Sequence, residues 1–278
     1  MNELALFAGA GGGILGGGLL GWRTVCAVEW EQYPASVLCA RQNDGFLPPF
    51  PIWDDVQTFD GKPWQGIVDV VSGGFPCQDI SAAGKGAGID GERSGMWRHM
   101  ARIIHEVRPR YAFVENSPML TSRGLGTVLG DLAAMGFDAA WGVLGAADVG
   151  ANHQRDRIWI VAKWRGQLPH AQHVRIGRLE QQQESVKETH GDISITKSKG
   201  LERWENRGNL QQTKPRPWES GWAVKDYWSA EPNVGRVANG VADRVDRLKA
   251  IGNGQVPLCA ATAFNILSAG VQNGNKTH

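Results

Sequence analysis

The chain opens on a short apolar run, Leu4–Phe7, that passes directly into glycines, and then alternates strand-like and helix-like segments up to about residue 165. Thr24–Glu29 reads as a second strand and Glu31–Gln42 as a helix. Ile67–Ser72 is strongly strand-like. Ser94–Val107 has helical spacing, with Met96, Met100, Ile103, Ile104 and Val107 forming a stripe to be buried. Tyr111–Glu115 is another strand, closed by Pro118, and a helix follows over Leu125–Met135. Strands near Trp141–Leu144 and over Ile158–Ala162 complete the series. Such alternation predicts an α/β fold, a largely parallel sheet with helices on both faces. From about 166 to 233 the character changes: the polar run Leu179–Glu188 has little to bury, and glycines and isolated tryptophans surround it. Ala260–Leu267 reads as a helix returning to the first unit. The expected organisation is a large unit over 1–165, a small loop-rich region over 166–247 and a returning segment over 248–278.

Charge supports two unlike halves. The formal net charge is only +1, but residues 1–150 hold ten Lys+Arg against sixteen Asp+Glu, and residues 151–278 hold nineteen against twelve. A basic surface on the later half is one reading, and ordinary scatter of solvated charge is the other. A hydrophobic content of 42% excludes wholesale disorder. No apolar run reaches the ~18 residues a spanning helix needs, and the N-terminus lacks the pattern of a secretory signal, so no membrane association is expected. Cys26, Cys39, Cys77 and Cys259 are widely separated, with no Cys-x-x-Cys pair. Neither a metal site nor a disulfide framework is expected, and a reducing, cytoplasmic setting fits. Cys26, Cys39 and Cys259 are read as interior residues.

Three stretches fall where strands should end, and a fourth where one should begin. In Phe7-Ala8-Gly9-Ala10-Gly11-Gly12 the glycines let backbone approach a ligand, and Glu29 closes the next strand, placed to accept hydrogen bonds from a ribose. A merely flexible turn is the plain alternative. In Gly74-Phe75-Pro76-Cys77-Gln78 a cysteine follows a strand, either as a nucleophile at the rim of a crevice or as a small buried hydrophobe. Glu115-Asn116 puts a carboxylate at another strand end, as a proton donor if desolvated or as a surface carboxylate otherwise. His153-Gln154-Arg155-Asp156-Arg157 sets two arginines on one side of an extended chain, to bind an anion or a base carbonyl or to pair with Asp156.

Taken in order, and with Ile251-Gly252-Asn253-Gly254-Gln255-Val256-Pro257, these stretches resemble the cytosine-5 DNA methyltransferase family of bacterial or phage type. The resemblance implies a Rossmann-like, S-adenosylmethionine-dependent fold with a small target-recognition domain. It implies Cys77 as the nucleophile on carbon-6 of cytosine, Glu115 as the carboxyl that assists at N3 and N4, and Arg157 as the holder of O2. Phe7, Gly9, Gly11, Glu29, Trp30, Asp55 and Asn253 would bind S-adenosyl-L-methionine. Ser81, Lys85 and Arg155 would contact DNA, and the base would be flipped out of the duplex to reach Cys77. The resemblance further implies double-stranded DNA as partner, a monomer, and room for a companion restriction endonuclease. His153 stands where many members have Gln, and Ser117 where many have an apolar residue. An RNA cytosine methyltransferase and a catalytically silent DNA-binding accessory protein are the alternatives.

If the basic half grips DNA, binding weakens steeply with salt. Neutralising Lys or Arg within 166–249 then lowers the slope of log affinity against log salt more than equal changes within 1–150. Titrations at several salt concentrations check this, and a larger effect from the N-terminal set would make the charge split accidental.

Overall fold

The computed structural model describes residues 1–76, 95–166 and 244–273. Seven strands form one sheet: β1 (Asn2–Leu6), β2 (Arg23–Val28), β3 (Ile52–Trp53), β4 (Val70–Gly74), β5 (Tyr111–Asn116), β6 (Phe137–Leu144) and β7 (Arg157–Trp164). Their order is β3-β2-β1-β4-β5-β7-β6. The first five pair in parallel, whereas β7 runs antiparallel to both β5 and β6. The helices are α1 (Gly12–Leu19), α2 (Gln32–Asn43), α3 (Met96–Val107), α4 (Leu120–Arg123), α5 (Leu125–Ala134), α6 (Arg244–Asn253) and α7 (Pro257–Asn273). The mostly parallel α/β architecture expected from the alternation is therefore present. Among the described residues no helix is long and apolar enough to cross a membrane.

Strand periodicity sorts the core into two faces. Leu4 and Leu6 of β1, Ala112 and Val114 of β5, and Ile158 and Ile160 of β7 pack with Met100, Ile103, Ile104 and Val107 of α3 and Val128 and Leu132 of α5. Tyr111, Phe113, Trp159 and Val161 point the other way, onto Ala260, Ala263, Phe264 and Leu267 of α7. Phe113 stacks on Trp159 at 5.4 Å between ring centroids, and Phe264 meets Phe113 edge-on at the same distance. Ala5 and Ala27 lie in a third cluster with Ile14, Leu38 and Leu47.

Several local expectations change. The glycines after β1 do not remain a turn but continue into α1, because that helix must lie close to the returning chain. A β-carbon at Gly16 would stand 2.8 Å from Cβ of Ala260, so only glycine lets α1 and α7 touch there. The strand expected over Ile67–Ser72 is shifted to Val70–Gly74. Ile67 and Val68 still donate to Trp64 O as the end of a turn, and Ile67 is 50% exposed. The C-terminal helix outlasts the expected Ala260–Leu267, and Cys39 is exposed on α2, whereas Cys26 and Cys259 are buried as expected. The polar run Leu179–Glu188, with most of the expected 166–247 region, lies outside the described residues.

Glu3 is fully buried on β1 beneath α1, accepting hydrogen bonds from Thr24 Oγ1 at 2.7 Å and Ser72 Oγ at 2.6 Å. Burial pushes its carboxyl up to about 7, and the two hydroxyls only partly offset this. The folded protein thus holds a proton that the unfolded chain, near 4.5, has already lost. Stability from this group is fully present below pH 4.5 and disappears as the pH rises through about 7. Glu3→Gln should remove up to about 3 kcal/mol of the decline in unfolding free energy between those values. Urea melts at several pH values measure it, and parallel wild-type and variant curves would contradict it.

Candidate active site

The carboxyl ends of the parallel strands lie on one edge of the sheet. Because β7 is reversed, its amino end lies on that edge too. Residues from β1, β2, β4, β5 and the entry to β7 converge there although they are far apart in sequence.

On the β1–β2 side, the chain turns sharply after Leu6. Phe7 takes a left-handed backbone at φ 51°, followed by Gly9 at 55° and Gly11 at 91°. Ala8 donates its N–H to Val28 O at 3.1 Å, which ties the turn to β2. Glu29 at the end of β2 accepts from Gly9 N at 2.6 Å through Oε2 and from Glu31 N at 2.7 Å through Oε1. Burial raises the Glu29 carboxyl above its ordinary range, and the two backbone donors pull it back. Lys249 of α6 reaches Glu31 at 2.7 Å, so α6 is anchored beside the same turn. Trp30 stands 73% exposed next to it.

On the β4–β5 side, the register pairs Gly74 with Glu115. A β-carbon at Gly74 would run into Glu115 Oε2, so glycine is what leaves room for that carboxyl. Glu115 is buried, with Oε1 2.8 Å from Arg157 Nε and Oε2 accepting from Gln255 Nε2 at 3.4 Å. Burial raises its carboxyl despite the opposing pull of Arg157. Arg157 also donates through Nη1 to Asp156 O at 2.8 Å. Asn116 points to the opposite face, where its Nδ2 donates to Phe75 O at 3.0 Å. That bond fixes the chain two residues before Cys77.

The last component comes from the segment between α6 and α7. Arg155 Nη2 donates to Gly252 O at 2.6 Å and Gly254 O at 2.5 Å, gripping the carbonyls on both sides of Asn253. Gln255 then wedges against the glycine turn: β-carbons at Gly12 and Gly13 would overlap its carbonyl and its Oε1.

Residues 1–256 match the family model described as C-5 cytosine-specific DNA methylase. The chain belongs to this family. The chain is similar to the type II methyltransferase M.CviJI of Paramecium bursaria Chlorella virus IL3A, at 32% identity over 58% of this chain and 42% of that protein. It is also similar to the type II methyltransferase M.NgoBI of Neisseria gonorrhoeae, at 33% identity over 58% of this chain and 50% of that one. The match thus spans about half the length of these relatives. The fold resembles that of the Entamoeba histolytica methyltransferase EhMeth, with a TM-score of 0.51 and 16% identity over 66% of this chain and 57% of that chain.

As a member of the C-5 cytosine-specific DNA methylase family, the chain can be compared with what its sequence suggested. Phe7, Gly9, Gly11, Glu29 and Trp30 come together at the first turn, and Glu115 and Arg157 form a direct pair. Asp55 lies just beyond β3, whose Trp53 carbonyl accepts from Glu29 N at 2.8 Å; its own Oδ1 accepts from Gln57 N at 2.8 Å. Asn253 is exposed at the end of α6. Cys77, Ser81 and Lys85 lie outside the described residues. Arg155, expected at the DNA, holds the late segment through Gly252 O and Gly254 O. Gln255 and Asn116 were not singled out beforehand, although each stands inside a quoted motif. Only the pairing of distant segments gives them partners.

Arg155→Ala should release Gly252 and Gly254 without disturbing the sheet. Amide exchange at Gly254 and Ala260, which donate to Ala250 O and Val256 O, should then quicken by about tenfold, the equivalent of ~1.4 kcal/mol. Unchanged exchange at both amides would show that the grip contributes nothing.

Proposed function

We propose that this protein is a DNA (cytosine-5-)-methyltransferase, which moves a methyl group from S-adenosyl-L-methionine to carbon-5 of a cytosine turned out of double-stranded DNA. The observation that carries the reading is Glu115, buried and paired with Arg157 on the edge where Asn116 holds the chain just short of Cys77.

The cofactor pocket fits its ligand on geometric grounds. A β-carbon at Gly9 would meet nothing within 4 Å, so the turn is open on its ligand side. Each Glu29 oxygen accepts one backbone N–H, which leaves acceptor capacity for ribose hydroxyls. The exposed Trp30 and the left-handed Phe7 suit an adenine, with Asp55 beside it and Asn253 toward the methionine end. Bound there, S-adenosyl-L-methionine supplies an electrophilic methyl group.

The rest belongs to the protein. Carbon-6 of cytosine is a poor electrophile until the ring is polarised. Glu115, whose carboxyl burial shifts toward its protonated form, donates to N3 while the Cys77 thiolate forms a bond to carbon-6. The Arg157 Nη2 group makes no hydrogen bond among the described residues and is available to O2, where negative charge develops. The electron pair gained at carbon-5 takes up the methyl. Loss of the carbon-5 proton to a base then expels Cys77 as thiolate, and return of the N3 proton to Glu115 restores the ring. Ser81 and Lys85, in the segment after Cys77, are assigned to DNA phosphate, and 166–247 to target recognition. A reducing, cytoplasmic setting suits a free nucleophilic cysteine.

Cys77→Ala should abolish methyl transfer, a loss of at least about a thousandfold, while S-adenosylmethionine affinity changes by less than about threefold. Assays on matched DNA and tRNA substrates, with calorimetry for the cofactor, measure both. DNA containing 5-fluorocytosine should remain covalently joined to the wild-type protein, since fluorine cannot leave as the proton does. Transfer by Cys77→Ala, or transfer by wild type without trapping, would overturn the nucleophile.

A further inference from the structure

Gln255 stands where three unconnected parts of the chain meet. Its Nε2 donates to Glu115 Oε2 at 3.4 Å. That same nitrogen lies 3.2 Å from where a Gly74 β-carbon would be, so the amide fills the space beside the end of β4. Its Oε1 and its main-chain carbonyl face Gly13 and Gly12 at the start of α1, directly after the cofactor turn. Its own backbone is held in place by Arg155 through Gly254 O, one residue earlier.

We propose that Gln255 is a positioning residue for methyl transfer: its side-chain amide links the glycine turn to Oε2 of Glu115 and sets the angle at which that carboxyl faces the target base. The assignment rests on the reaction proposed above.

The physical argument is one of shared donors. Arg157 approaches Oε1 of Glu115 through Nε at 2.8 Å. A carboxyl held at one oxygen can still rotate about its terminal torsion, which is broad for Glu. The second contact at Oε2 removes that freedom. A neutral amide suits the task better than a second cation, because it can meet either protonation state. It donates Nε2–H to an ionised oxygen and, turned over, accepts from a protonated one. Among the described residues, the charged groups facing Glu115 are Arg157 and Arg155 at the entry to β7, while β4 presents Gly74 and the late segment Gln255. Loss of the amide therefore leaves the carboxyl less stabilised in its ionised form.

Gln255→Met keeps length and bulk but removes the donor. In the full-length protein, the single-turnover rate of methyl transfer to DNA should fall about tenfold to a hundredfold, as expected for a misplaced acid. S-adenosylmethionine affinity should change by less than about threefold. The alkaline limb of the rate profile should move to higher pH, because Glu115 keeps its proton longer. Gln255→Glu, which sets a like charge against Glu115, should move the limb further in the same direction. Carboxyl-labelled NMR of the full chain follows the Glu115 titration without any assay of transfer. An upward shift in Gln255→Met supports the positioning role even if wild type proved inactive on DNA, a result that would count against the proposed reaction alone. An unshifted titration, or a rate loss accounted for entirely by weaker cofactor binding, would overturn the role of Gln255.

Discussion

The reversal of β7 is the constraint on which the site depends. Were β7 parallel to β5, Arg157 would enter the sheet at the opposite edge, a full strand length from Glu115. Running antiparallel, it pairs Trp159 with Glu115 and Ile158 with Asn116. Arg157 then falls one step beyond the last pair and on the same face as Glu115, because side chains alternate. The ion pair at 2.8 Å is the direct product of that register. A slip of one residue would turn Arg157 to the α3 face and leave the Glu115 carboxyl without its cation, a costly state for a buried acid.

A second dependence is on close approach. Glycines at 12, 13, 16 and 74 are not there for flexibility alone; each marks a place where a β-carbon would collide with another part of the site. Through them, the segment between α6 and α7 lies against the first turn and beside Glu115. Polar anchors complete the seating: Lys249 on Glu31, and Arg155 on the carbonyls flanking Asn253. The C-terminal part of the chain is therefore part of the active edge, with the apolar face of α7 supplying the burial that holds it there.

Carboxyls at this edge are managed by what surrounds them. Glu29 is buried against backbone N–H groups, and Glu115 against one arginine and one amide. In both, desolvation favours the protonated form and the partners oppose it. The partners differ in kind, since fixed backbone dipoles face Glu29, whereas a cation and a neutral amide face Glu115.

Much of this was legible without coordinates. The apolar alternation pointed to every strand of the sheet except the two-residue β3, and to the α3 stripe, since periods of 2 and 3.6 are local properties of a chain. The motifs identified Glu29, Glu115 and Arg157 as residues at strand ends. The shift of β4 to Val70–Gly74 was not legible, because what sets its start is the turn through Trp64. The glycines after β1 concealed α1, since poor helix formers are helical here only because α7 needs the space. Neither the direction of β7 nor the meeting of Gln255 with Glu115 could be read from either segment. The sequence by itself determined the family and the motifs that carry the candidate site. Only the tertiary structure decided which of them touch, because strand direction and the close seating of remote segments arise from pairings between distant parts of the chain, which no local pattern encodes.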